Sequence, residues 1–225
     1  MSQKLYSILC DHLTPRKVEL FEHVAQLRTK HIALVTENIY QAQNASAILR
    51  STESFGVQDL HIIENDNSFQ HHHRIAKGAQ DWLTLYRYND TRDNTSQCLQ
   101  HLRSKGYQIA VTALHHECVS IHDLDITQKT AVVLGTELTG ASQKALEMAD
   151  VFVKIPMSGF TESMNVAGAA AVILENLSHR LRQSNVPWQL TPEEQLQLKI
   201  LWARRTITWS DYLVQMFETG EINPQ

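Results

Sequence analysis

The sequence predicts an α/β fold in which a mostly parallel sheet is flanked by helices, with helical extensions at both ends. Short apolar runs rich in Val and Ile alternate with segments of helical periodicity between residues 31 and 182, which is typical of parallel β/α units. Amphipathic segments led by proline lie on both sides of that region. We therefore divide the chain into an N-terminal helical extension (1–30), an α/β domain (31–182) and a C-terminal helical extension (183–225).

The N-terminal extension contains two amphipathic segments, LYSILCDHL and PRKVELFEHVAQL. Thr14 stands where a helix N-cap is expected and Pro15 occupies the first helical position, where its missing N–H costs nothing. We expect two helices.

The α/β domain contains six predicted strands and four predicted helices. The strands are HIALVTE (31–37), VQDLHIIE (57–64), WLTLYRY (82–88), YQIAVTAL (107–114), TAVVLG (130–135) and VFVKIP (151–156). The helices are AQNASAILRSTESF (42–55), TSQCLQHLRSK (95–105), ASQKALEMA (141–149) and a long apolar helix from about Ser163 to Leu181. Gly56 and Gly106 are expected to end the first two helices.

The C-terminal extension follows a predicted linker, SNVPWQL (184–190). Thr191, Pro192 and Glu194 then form the pattern of an N-cap, a first-position proline and a capping-box glutamate. We expect a helix from there to about Thr206.

Composition excludes several classes of protein. The 225 residues are 43% hydrophobic, and 20 Lys+Arg against 24 Asp+Glu give a formal charge of -4, so any nucleic-acid site must be local. The three cysteines are an odd number at wide spacing, which argues against a disulfide framework and for a cytoplasmic location. There is no secretory apolar segment and no run of about 18 apolar residues, so a membrane span is not expected.

Three short motifs do not support a familiar chemistry. Gly135 and Gly140 have phosphate-loop spacing, but Ala141 stands where such a loop needs lysine. His115-His116-Glu117 contains the triplet of zinc deaminases without the later cysteine pair. The triplet His71-His72-His73 is interpreted as a solvated loop, so no metal site is predicted.

Polar residues follow the predicted strands or begin the predicted helices of three different β/α units. Because the carboxyl ends of parallel strands lie together, these side chains are expected to converge on one site; they are Asn44, Arg50, Glu137, Ser163 and Asn165. Taken alone, the segment from Ile155 to Ala171 is better explained as a buried helix after a turn, and only its combination with the other polar residues favours a site.

Three segments together are similar to the signature motifs of the SPOUT-class (SpoU/TrmH) RNA 2'-O-methyltransferases. They are N-x-x-A-x-x-R at 44–50, L-G-x-E-x-x-G at 134–140 and I-P-M-x-G-F-x-x-S-M-N-V at 155–166, and the resemblance covers about residues 31–182. It implies methyl transfer from S-adenosylmethionine to a ribose 2'-hydroxyl. It also implies a homodimer and a deep trefoil knot in the C-terminal part of the fold.

The resemblance implies a role for each matching residue. Arg50 would lie beside the reacting ribose with Asn44 fixing its neighbourhood, and Glu137, Ser163 and Asn165 would complete the catalytic pocket. Because a guanidinium does not readily lose a proton, we interpret Arg50 as a clamp for phosphate and developing alkoxide rather than as a base. The methyl donor would be contacted, chiefly through backbone, by Thr112, Ala113, Leu114, Gly135, Ile155, Pro156, Met157 and Met164.

Within the family, the short helical extensions are most similar to those of the tRNA methyltransferases that modify the D-loop guanosine at position 18. Ribosomal-RNA relatives often carry a separate N-terminal RNA-binding domain, for which residues 1–30 leave no room. We expect tRNA and a second copy of the chain as partners, with no membrane or DNA partner. The alternatives are a ribosomal-RNA ribose methyltransferase and a noncatalytic RNA-binding dimer.

Overall fold

The computed structural model describes residues 2–114, 117–136 and 138–222, and the chain divides into two compact units. One unit is Thr29–Trp188. The other combines Met1–Arg28 with Gln189–Gln225, so the two predicted extensions belong to the same unit.

The α/β unit alternates strands and helices along the chain. Its strands are β1 (Ile32–Glu37), β2 (Asp59–Ile63), β3 (Thr84–Tyr88), β4 (Gln108–Thr112), β5 (Val119–Ser120), β6 (Thr130–Leu134) and β7 (Val151–Lys154). Its helices are α3 (Ala42–Ser54), α4 (His73–Ala76), α5 (Asn94–Ser104), α6 (Gln143–Glu147) and α7 (Val166–Gln183), with a 3₁₀ turn at Ala79–Asp81. The six predicted strands are confirmed, each within a few residues.

The strands form one parallel sheet in the order β3-β2-β1-β6-β4-β7-β5. β6 lies between β1 and β4, with Ile32 opposite Thr130 and Gln108 opposite Thr130. This arrangement brings the ends of β1, β6, β4 and β7 next to one another. The predicted parallel α/β fold is confirmed, whereas the two-residue strand β5 was not predicted because it is too short to show a period.

Helices cover both faces of the sheet, which explains why the central strands are apolar on both sides. On one face, α3 and α7 pack together over Leu34, Leu60 and Val132. On the other face, α5 and α6 cover Val35 and Val133.

Helix α7 begins three residues later than predicted. The side-chain oxygen of Asn165 accepts hydrogen bonds from the backbone N–H groups of Ala167 (3.0 Å) and Gly168 (3.3 Å), which makes Asn165 the N-cap. Ser163 therefore lies in the preceding loop and not in the helix. The triplet His71-His72-His73 was expected to form a solvated loop. Only its first two residues lie in a loop, because His73 begins α4.

The helical unit consists of α1 (Ser2–Cys10), α2 (Pro15–Leu27), α8 (Pro192–Thr206) and α9 (Ser210–Glu218). Trp202 is buried at its centre, 5.6 Å from the Phe21 ring and 5.5 Å from the Arg28 guanidinium. The predicted Thr14 cap and the Thr191–Glu194 capping box are confirmed, and α9 was not predicted. Within the described ranges, every helix is too short or too polar to cross a bilayer.

A buried carboxylate at the end of β1 holds two helices in place. One oxygen of Glu37 accepts from the hydroxyls of Thr95 (2.6 Å) and Ser142 (2.7 Å), and the other accepts from the backbone N–H of Ser142 (2.8 Å). Thr95 lies in the first turn of α5, and Ser142 is the N-cap of α6. Glu37 therefore fixes the point at which the loop after β6 enters α6.

We expect Glu37→Ala to lower the free energy of unfolding by about 3 kcal/mol, because it leaves one buried donor, of Thr95, and two half-buried donors, of Ser142, without an acceptor. Glu37→Gln retains an amide oxygen for the Ser142 N–H and is expected to cost about 1–2 kcal/mol. Urea denaturation followed by circular dichroism measures both values. Equal losses in the two variants would show that the hydrogen bonds to Glu37 contribute little.

A buried histidine lies under α5 on the same face of the sheet. Burial, with a smaller contribution from nearby His101, lowers the pKa of His61 from its ordinary value of 6.5 to about 3. The Tyr88 hydroxyl lies 3.0 Å from Nδ1 of His61 and 2.8 Å from Nδ1 of His101. Because this hydroxyl has one proton, it can donate to only one of the two rings and must accept from the other.

We expect stability to fall as the pH drops from 6.5 towards 3, since the unfolded chain binds a proton that buried His61 does not. At about pH 5 this difference is about 2 kcal/mol relative to neutral pH. Urea denaturation of wild type and His61→Gln at both pH values isolates the effect, because the variant lacks this titration. If the free energy of unfolding of His61→Gln depended on pH as that of wild type does, the assignment of this effect to His61 would be contradicted.

Candidate active site

A cavity of about 390 Å³ opens at the carboxyl ends of three neighbouring strands. Its walls include Thr112 at the end of β4, Gly135 after β6 and Ile155 after β7, and α7 contributes Ala169 and Ile173. The cavity thus lies at the edge of the sheet where parallel α/β proteins bind ligands.

The loop after β6 forms a tight turn in the wall of this cavity. Thr136 and Gly140 exchange backbone hydrogen bonds of 3.0 and 3.1 Å, and Gly140 adopts a left-handed φ of 71°. A Cβ at Gly135 would overlap the backbone of Gly140 and Ala141, so only glycine fits there. The two glycines noted in the sequence are therefore required by this turn rather than by a phosphate loop.

Seven of the eight residues predicted to contact a methyl donor line the cavity. They are Thr112, Ala113, Leu114, Gly135, Ile155, Met157 and Met164. The eighth, Pro156, is exposed in the loop after β7 and is not among the residues that line the cavity. The Thr112 hydroxyl donates to the carbonyl of Val133 (3.0 Å), which ties the ends of β4 and β6 together.

Two of the predicted catalytic residues are hydrogen-bonded to each other. The amide nitrogen of Asn165 donates to Oδ1 of Asn44 (3.1 Å), and the amide nitrogen of Asn44 donates to Oε1 of Gln41 (3.2 Å). Asn44 is buried in the first turn of α3, and Ser163, two residues before Asn165, lines the cavity. The structure therefore joins Asn44 to Asn165, and the catalytic role of these residues and of Ser163 stays a prediction.

Arg50 is not part of this hydrogen-bonded group. Arg50 is exposed on α3, six residues and about 120° around the helix axis from Asn44. Within the described part of the chain, its side chain makes no hydrogen bond or ion pair. Glu137 lies outside the described residues, as do His115 and His116.

Two charged residues in the cavity wall were not predicted from the sequence. Lys154 at the end of β7 and Glu162 in the following loop both line it. Their signal in the sequence is weak, since a charge at a strand end is common on any surface. Among the described residues, no group of His, Cys, Asp and Glu side chains could hold a metal ion.

The chemistry available to this site follows from its walls. An apolar cavity with polar groups at its mouth suits a small molecule that has both apolar and polar parts. The amides of Asn44 and Asn165 and the hydroxyl of Ser163 can hold and orient a hydroxyl group beside it.

The chain is similar to known proteins of one family. Residues 31–175 match the SpoU rRNA Methylase family. The chain is 36% identical over 204 residues to the tRNA (guanosine(18)-2'-O)-methyltransferase of Borreliella burgdorferi, covering 91% of this chain and 92% of that protein. The Escherichia coli K12 protein of the same name is 29% identical over 184 residues, covering 82% and 73%.

The crystal structure of the Aquifex aeolicus TrmH/SpoU tRNA modifying enzyme superposes with a TM-score of 0.76 at 27% identity, covering 85% of this chain and 97% of that one. The resemblance inferred from the three motifs is therefore confirmed. Because the family match spans most of the α/β unit and the Borreliella relative is matched over nearly its whole length, the chain belongs to the SpoU rRNA methylase family.

Proposed function

We propose that the protein transfers the methyl group of S-adenosylmethionine to the ribose 2'-hydroxyl of the D-loop guanosine at position 18 of tRNA. The observation that carries this proposal is the match to the Borreliella tRNA (guanosine(18)-2'-O)-methyltransferase over 92% of that protein. The hydrogen-bonded pair Asn44–Asn165 lies beside a cavity. This arrangement supports the hypothesis that the protein is an enzyme rather than a noncatalytic binding module.

A ribosomal-RNA substrate is the second candidate, and one relative supports it more weakly. The 23S rRNA (guanosine-2'-O-)-methyltransferase RlmB of Shewanella oneidensis is 30% identical over 144 residues, which covers 63% of this chain and 56% of that protein. The Borreliella tRNA methyltransferase is matched over a longer stretch, 204 residues, and over 92% of its own length.

The cavity fits S-adenosylmethionine in size and chemistry. Its volume of about 390 Å³ lies in the range of small-molecule sites, roughly 300–1,000 Å³. Leu114, Met157 and Met164 would hold the apolar parts of the cofactor, and Lys154 and Glu162, which also line the cavity, would pair with its charged amino-acid end. When bound, the cofactor supplies an electrophilic sulfonium methyl group.

The residues of this chain orient the ribose hydroxyl and manage its proton. Asn165 is fixed at both ends by the α7 cap and by Asn44, so it acts as a rigid positioning residue. The Ser163 hydroxyl at the cavity wall can accept a hydrogen bond from the ribose hydroxyl and relay its proton to water by giving up its own. In this proposal the Arg50 guanidinium clamps a substrate phosphate, and Glu137 completes the pocket as the motif implies.

The proposal includes a homodimer, a trefoil knot and a cytoplasmic location. Large apolar side chains are exposed around the site, since Leu138 is 97% exposed and Phe160 is fully exposed, and a second copy would cover them. The position of β6 and β7 on either side of β4, with their loops around one cavity, supports the knot. The three free cysteines and a tRNA substrate support the cytoplasm.

We expect labelled 2'-O-methylguanosine in tRNA incubated with the protein and labelled S-adenosylmethionine, detected by nucleoside analysis. A transcript with adenosine at position 18 is the matched control and should stay unlabelled. Label in ribosomal RNA but not in tRNA would contradict the proposed substrate.

In the same assay, Arg50→Ala is expected to lower kcat/KM by about 10²–10³-fold, as does the loss of other charge-stabilising donors. Arg50→Lys keeps the charge but loses the two-pronged contact with phosphate, so its activity should lie nearer to Arg50→Ala than to wild type. Activity of Arg50→Lys close to wild type would exclude the clamp.

For the dimer, sedimentation equilibrium should give twice the chain mass of 25.7 kDa. Phe160→Ser and Leu138→Ser together should shift the equilibrium towards monomer, because they remove exposed apolar contact area. A wild-type mass of one chain at micromolar concentration would contradict the dimer.

A further inference from the structure

A second concave surface opens beside the start of α3, at the carboxyl ends of β1 and β2. It is a polar groove of about 580 Å³, and the residues that line it include Tyr40, Gln41, Asp66, Asn67, Gln70 and His72. None of these residues belongs to the three family motifs. The Tyr40 side chain is 75% exposed, although an aromatic ring gains by being covered.

One buried asparagine holds the turn that forms part of the wall of this groove. Asn38 has a left-handed φ of 54°, and its Oδ1 accepts from the backbone N–H groups of Asn65 (2.8 Å) and Asp66 (3.0 Å). Its Nδ2 donates to one carboxylate oxygen of Asp66 (3.0 Å), and its carbonyl accepts from Nδ2 of Asn67 (3.2 Å). Every polar group of the Asn38 side chain is thus used to hold the turn at residues 65–67.

This arrangement leaves Asp66 oriented but not fully bonded. Its Oδ2 is bound by Asn38, while its Oδ1 has no hydrogen-bond partner in the described part of the chain. The rest of the loop is held as well, because Glu64 accepts from the Phe69 N–H (2.7 Å) and Ser46 accepts from the His72 N–H (2.7 Å). The groove therefore presents an ordered carboxylate to whatever enters it.

The groove is connected to the candidate active site through side-chain amides. Gln41 lines the groove and accepts from Asn44, which in turn accepts from Asn165. Asn165 follows Ser163 and Met164, which line the cavity of the active site. A nucleotide whose ribose lies at Asn44 and Asn165 would have its base within reach of this groove.

We propose that the groove binds the base of the target guanosine and is the specificity pocket of the enzyme, an inference that rests on the proposed function. Guanine presents two adjacent donors, N1–H and the 2-amino group, which match the carboxylate of Asp66. The other three standard bases lack two adjacent donors on this edge. Tyr40 stacks on the base, as aromatic side chains do with unstacked bases in RNA loops, and Gln70 donates to O6.

The test compares tRNA carrying guanosine or inosine at position 18, since inosine lacks only the 2-amino group. Wild type should prefer guanosine by about tenfold in kcat/KM. Asp66→Asn keeps the shape and can still accept from Asn38, but it presents an NH₂ group to the donors of guanine. We expect it to lower kcat/KM for guanosine about 100-fold and to bring the guanosine-to-inosine ratio close to one.

Two further variants make the test specific. Asp123→Asn is the matched control, because this exposed aspartate follows β5 at the far edge of the sheet, five strands from β2, and it should leave the ratio unchanged. Tyr40→Ala should lower kcat/KM for both tRNAs equally, by about tenfold, because stacking does not depend on the 2-amino group. Affinity for S-adenosylmethionine should be the same in all variants.

An unchanged guanosine-to-inosine ratio in Asp66→Asn, with an active wild type, would overturn the specificity pocket alone. If Asp66→Asn does not fold, full activity of Tyr40→Ala would overturn it, since an exposed tyrosine is replaced there without loss of core packing. Failure of wild type to methylate either tRNA would instead overturn the proposed function, and this inference with it.

Discussion

The hydrogen bond from Asn165 to Asn44 is the contact on which the site depends, because it joins the starts of two helices through residues 121 positions apart in the chain. The oxygen of Asn165 is committed to the N-terminus of α7, so its NH₂ group is the only part left to meet Asn44. The amide therefore has one possible orientation. It fixes the first turn of α3 against the loop that carries Ser163 and Met164 into the cavity.

Most of the fold could be predicted from local patterns. β1 and β6 are buried on both faces, so each contains an unbroken apolar run, IALV and AVVL. Thr14 and Thr191 cap helices through residues only three positions away. Local patterns do not reveal β5, because a strand of two residues is too short to show a period. They also placed Ser163 inside α7, because the small residues around it do not show where the helix starts.

The site was only partly predictable, for a related reason. Motif spacing identified the cavity wall at Gly135 and Met164, where a family pattern exists to be matched. The groups that hold the site together are single polar residues with distant partners. Glu37 bonds Ser142, 105 positions away, and Asn38 bonds Asp66, 28 positions away, so neither contact is visible in a local window.

The helical unit combines both ends of the chain, and this has a consequence during translation. Phe21 in α2 packs on Trp202, which leaves the ribosome only after the whole α/β unit. At about 5–20 residues per second, the N-terminal helices wait about 9–36 s for their partner. During that interval their apolar faces have no core, so a nascent chain depends on its own charged residues, or on a chaperone, to avoid association.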